Sequence, residues 1–130
     1  MTSRLRHDDD PPAVVSEDGL RYHHLGIPTQ DRREHEQYLP EFKMFVSGFE
    51  TSRYGIEWMR FEHDSPVPEI VKSIPHVAFE VDDLETAISG KAILSGISSP
   101  STGVRAAMIL ENGAPIELIE FSGNSTLRRI

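Results

Sequence analysis

Residues 75–85, PHVAFEVDDLE, set large apolar side chains two apart and then switch to an acidic run. Successive side chains of a strand point to opposite sides, so Val77, Phe79 and Val81 share one face and His76, Ala78 and Glu80 the other. Asp82-Asp83-Leu84-Glu85 then predicts a helix, with an acid at its start and a glutamate three residues on. Working outward, the same text occurs once before. His24-Leu25-Gly26-Ile27 lies over His76-Val77-Ala78-Phe79 at an offset of 52, and Asp31-x-x-Glu34 lies over Asp82-x-x-Glu85 at 51. Ile56-Glu57-Trp58-Met59-Arg60-Phe61 lies over Ile116-Glu117-Leu118-Ile119-Glu120-Phe121 at 60. Such self-similarity marks a duplicated supersecondary unit. The reading is an α+β fold of two βαβββ modules, the first shortened by about eight residues, enough to lose a strand and a turn.

The remaining strands are expected at Lys43 to Phe49, Tyr54 to Phe61, Ala92 to Ile97, Val104 to Leu110 and Pro115 to Phe121, all short and rich in β-branched or aromatic residues. Asn112-Gly113 separates the last two, and Asn-Gly is a strong hairpin signal because a type I′ turn needs positive φ at both central residues. Pro40 is expected to end the first helix, and Glu69 to Ser73 to form a short helical turn. Residues 1–19, with Asp8-Asp9-Asp10-Pro11-Pro12, bury too little to offset their ordering entropy and read as a mobile tail. His7 there reads as part of a solvated charged segment. Module one then spans 20–62, a linker 63–74, module two 75–121, and 122–130 is a polar end.

The chain has 130 residues, 38% hydrophobic, no cysteine, six histidines and a formal charge of −8. Its length allows one domain. Its acidity excludes nucleic acid and an anionic membrane surface as partners. Without thiolates, histidines and carboxylates are the strong metal ligands at hand. No apolar run is long enough to span a bilayer and no signal peptide is evident, so a soluble, cytoplasmic protein is expected.

Each copy places one histidine on its first strand and one glutamate on its last: His24 with Glu57, and His76 with Glu117. Two imidazoles and two carboxylates suit a divalent ion such as Zn, Ni, Co, Mn or Fe(II) and leave coordination positions open. Both histidines share their face with a small residue, Gly26 or Ala78, which leaves room for a ligand.

The stretches HLGI, IPHVAFEVDDLETA and GAPIELIEF resemble the vicinal oxygen chelate superfamily, which includes glyoxalase I, bleomycin and fosfomycin resistance proteins, methylmalonyl-CoA epimerase and extradiol dioxygenases. The resemblance covers residues 21–121 and is strongest in the second module. It implies a curved, half-barrel mixed sheet with helices outside, cupping a metal held by His24, Glu57, His76 and Glu117. It also implies a lyase or isomerase that removes a proton beside a carbonyl of a small carbonyl or acid substrate, with Glu57 or Glu117 as catalytic base and an enolate stabilised by the ion. A non-catalytic small-molecule binding protein of the bleomycin-resistance type is the alternative, and an Fe(II) dioxygenase the third. No glutathione-binding residues match, which points away from a lactoylglutathione lyase. A homodimer is expected, with a second chain covering open sheet edges.

Several residues near these are given other roles. His23 is expected on the face opposite His24, in a supporting or interface position, and His35 and His63 in solvent. Trp58 and Tyr54 are expected in the core, Glu120 on the face opposite Glu117, and Ser98-Ser99-Pro100-Ser101 in a loop.

Overall fold

The computed structural model describes residues 5–122. They form a single eight-stranded sheet: β1 (Arg21–Pro28), β2 (Gln37–Leu39), β3 (Met44–Ser47), β4 (Ile56–Phe61), β5 (His76–Glu80), β6 (Ala92–Ser101), β7 (Val104–Glu111) and β8 (Ala114–Phe121). Three short α-helices accompany it, α1 (Ala13–Ser16), α2 (Glu69–Ser73) and α3 (Leu84–Ile88), with a 3-10 turn at Phe49–Thr51. The strand order is β2-β3-β4-β1-β5-β8-β7-β6. Each half therefore contributes four strands in the same pattern, with the first strand of each module in the middle. β1 and β5 meet antiparallel at the seam, and each is flanked by the last strand of its own module in parallel. The sheet is mixed and curls into a half-barrel, as expected.

The first module keeps its full strand count, contrary to the expected loss of a strand. What it lacks is the helix. Residues 29–36 form turns, with His35 at φ +61, and Gln37–Leu39 forms an edge strand the sequence did not announce. The spacing Asp31-x-x-Glu34 satisfies a capping rule, but the segment Asp31 to Glu36 carries no apolar side chain and has nothing to bury against a sheet. The outer face it crosses is covered by cations instead. The Arg33 guanidinium lies 4.6 Å from the Trp58 ring, and that of Arg60 lies 4.1 Å from Phe45 while donating to Glu36 at 2.9 and 2.7 Å.

In the second module the helix is present because Leu84, Ala87 and Ile88 offer an apolar stripe. Leu84 is fully buried among Val81, Ala107, Ile109 and Leu118. Asp83, not Asp82, is the N-cap, accepting from the Thr86 amide, while Asp82 accepts from Arg21. On the concave side, α2 closes one end of the half-barrel, with Val71 packed on Met44 and Met59. Asn112 and Gly113 take φ +52 and +76, the positive values required by the β7–β8 hairpin. Ser98 to Ser101, expected in a loop, belong to β6, whose pairing with β7 shifts register three times. Such irregularity is tolerated on an edge strand. Residues 1–4 and 123–130, parts of the two expected tails, lie outside the described residues. Within the rest of the N-terminal segment α1 forms one turn with no buried residue.

Candidate metal centre

The site is assembled by strand register. Across β4, β1 and β5, Glu57 pairs with Gly26 and Gly26 with His76. Across β1, β5 and β8, His24 pairs with Ala78 and Ala78 with Glu117. Two adjacent rows thus cross the seam, each with a histidine at one end, a glutamate at the other and a small residue between them. All six side-chain positions face the concave side.

The small residues make room for the opposite histidine. A Cβ built on Gly26 would lie 2.3 Å from Cε1, 2.7 Å from Nδ1 and 2.9 Å from Nε2 of His76. The imidazole of His76 lies over the Gly26 backbone, and no other residue type leaves space for it. The His76 Nδ1 is buried without a hydrogen-bond partner among the described residues. Packing on the Nδ1 side and the contact of Nε2 with Glu117 therefore hold this ring with its Nε2 toward the other groups.

His24, His76 and Glu117 converge, and Glu57 reaches the group at His24. His76 Nε2 is 3.0 Å and His24 Nε2 is 3.2 Å from Oε1 of Glu117. The two Nε2 atoms are 3.3 Å apart, and His24 Nε2 is 3.4 Å from Oε1 of Glu57. Both histidines are buried and the glutamates nearly so. Burial pushes the Glu117 carboxyl up, but hydrogen bonds and charge from His24 and His76 outweigh it and hold the group well below the usual carboxylate range. Glu117 is an anion at neutral pH.

Such spacings fit a metal ion. With bonds of about 2.1 Å, neighbouring donors in octahedral or tetrahedral shells stand about 3.0–3.4 Å apart. His24, His76 and Glu117 fall within this reach of one another, and Glu57 joins them through His24. Asp83, Glu85 and Glu120 also gather on the outer surface. Arg105 and the Leu84 amide already satisfy Glu85 and Glu120 there, so this second cluster is an ion-pair network.

His23 departs from its expected place. The β1–β5 pairing shifts register between Tyr22 and His24, a bulge that brings His23 to the side of His24. Its ring stacks on Phe49 with centroids 5.0 Å apart, and its Nδ1 lies 2.7 Å from Nδ1 of His24. The opposite-face assignment is thus wrong, whereas contact with a site histidine is real. Strict alternation concealed it. Tyr54, expected in the core, is 81% exposed, and Trp58 sits beneath Arg33 on the outer face. His35 and His63 are exposed, and Glu120 faces away from Glu117 as expected.

The four groups lie in the wall of a concave cavity of about 830 Å³, bounded by the half-barrel and α2. Among the described residues no helix is long and apolar enough to cross a membrane.

No protein-family model and no curated protein matches the sequence. Solved structures share the fold. A hypothetical protein from Bacillus halodurans C-125 superposes with a TM-score of 0.63 at 16% identity, over 82% of this chain and 97% of its own. Methylmalonyl-CoA epimerase from Mycobacterium tuberculosis does so with a TM-score of 0.54 at 19% identity, over 78% and 88%.

Proposed function

We propose that this protein is a metal-dependent isomerase or lyase of the vicinal oxygen chelate type, acting on a small carbonyl compound by removing a proton beside the carbonyl. The observation that supports this reading is the convergence of His24, His76 and Glu117, drawn from both modules, in the wall of one cavity, with Glu57 beside His24. The epimerase among the structural neighbours agrees with it at the level of fold.

In this reading His24 and His76 present Nε2, and Glu57 and Glu117 one carboxylate oxygen each, to a divalent ion. Such an ion supplies Lewis-acid stabilisation of the negative charge that appears on oxygen when the neighbouring carbon loses its proton. Glu117 Oε1 is engaged by both imidazoles, at 3.0 and 3.2 Å, and so is the anchoring carboxylate. Glu57 approaches the cluster from the opposite strand and serves as the base that takes and returns the proton. The proposal includes cytoplasmic residence and assembly as a homodimer.

Metal content tests it. Protein made without a histidine tag and stripped with chelator is expected to take up one equivalent of Ni, Co, Zn, Mn or Fe(II), measured by calorimetry and elemental analysis. Glu117→Ala should lose that uptake. The loaded protein should then catalyse exchange of solvent deuterium into the carbon beside a substrate carbonyl, and Glu57→Gln should abolish exchange. Absence of stoichiometric uptake with every one of these ions would sink the proposal.

A further inference from the structure

The substrate class follows from how the cavity walls are charged. Its lining is largely apolar, including Leu39, Phe42, Val46, Phe61 and Met108, and away from the imidazoles of the metal centre its titratable side chains are carboxylates: Glu41, Glu50, Glu57 and Glu117. Among the described residues no lysine or arginine lines it. Their absence is built in by strand alternation and by pairing elsewhere.

Four cations are interleaved with lining residues along the chain, and each is held away from the cavity. Lys43, between Phe42 and Met44, donates to Asp64 at 2.6 Å. Arg60, between Met59 and Phe61, forms its two-pronged pair with Glu36 on the outer face. Lys72, beside Val71, donates to the Ser65 carbonyl at 2.6 Å. Arg105, between Val104 and Ala106, is taken by Glu85 and Glu120. On the walls away from the metal centre a phosphate, sulfonate or carboxylate would lose hydrating water, meet no lysine or arginine among the described residues and face acidic groups, an unfavourable exchange for an unpaired ion.

We propose that the cavity takes a hydrophobic carbonyl compound carrying no negative charge, such as an acyloin or 1,2-diketone on an aliphatic or aromatic body, and rejects anionic thioesters and organic acids. The volume of about 830 Å³ lies within the range that encloses a ligand of drug-like size. As a statement about substrate this rests on the catalytic reading above, but the binding preference belongs to the walls and holds without an ion.

A matched pair of fluorescent probes tests it on chelator-stripped protein: uncharged N-phenyl-1-naphthylamine and its sulfonated counterpart 1-anilinonaphthalene-8-sulfonate. The uncharged probe is expected to bind one to one, at least tenfold more tightly than the sulfonate. Val46→Trp, which fills the cavity, should weaken it at least fivefold. Glu50→Lys, at an exposed position on the rim, should narrow the preference by threefold or more. Equal or tighter binding of the sulfonate, no binding of either probe, or binding indifferent to both substitutions would each overturn the proposal. Metal uptake measured on the same preparation distinguishes failure of the cavity assignment from failure of the metal site.

Discussion

Gly26 carries more of this site than a residue without a side chain would suggest. Its missing Cβ is the space in which the His76 ring lies. Gly26→Ala must displace that imidazole, and a shift near 1 Å at a reacting group costs about a hundredfold in turnover. The expected result is loss of tight metal uptake in calorimetry and a comparable fall in deuterium exchange. His23 acts through its neighbour. One of the two Nδ1 atoms 2.7 Å apart must carry the proton, and when His24 Nε2 is a metal ligand that proton belongs on His24 Nδ1, with His23 accepting. His23→Phe keeps the stacking on Phe49 and removes the acceptor. It should weaken metal affinity about 10–100-fold in a competition titration, and His23→Gln should recover part of the loss. Of these residues, His24, Glu57, His76 and Glu117 were legible from repeat-equivalent positions alone. His23 was not, because a bulge breaks the alternation on which face assignments depend.

The elements show where local rules suffice and where they do not. Asp31-x-x-Glu34 and Asp82-x-x-Glu85 look equivalent as text, but only the second is followed by residues able to cover a sheet. A cap starts a helix; an apolar stripe keeps it. Gln37–Leu39 escaped notice because three residues are too few for a period, and Ser98 to Ser101 because serine and proline disguise an edge strand. The helix that does form is tied to β7 by Arg105, which donates to Glu85 at 2.7 and 2.8 Å. The Arg105 hydrogen bonds hold Glu85 down to about 2 from an ordinary 4.5. The unfolded chain therefore binds this proton more readily than the folded one. The contribution to stability is complete above about pH 4.5 and is lost as the pH falls toward 2. Glu85→Gln should flatten the decline of urea midpoints across that window, by a small amount because the pair is solvent-exposed.

At the scale of the molecule, both halves have the same four-strand plan and are joined within the sheet by the β1–β5 pairing, while β2 and β6 leave both ends of the sheet open. The chain-wide plan was visible in sequence because the repeat registers fixed which strands correspond. Ile93 and Ile97 on β6 are 47% and 40% exposed. Light scattering is expected to give twice the 14.6 kDa chain mass, and the double substitution Ile93→Lys, Ile97→Lys to return it to one. A monomeric unmodified protein would defeat the dimer. The two rows that cross the seam carry a mechanical consequence. Each takes its histidine from one module and its glutamate from the other, so an ion clasped by all four would act as a rivet between the halves. Sliding β1 along β5 by one residue would turn His24 to the face opposite His76 and separate the two imidazoles. Rivet and register then fail as a single event, and a force that shears the halves apart would be felt first as loss of the ion.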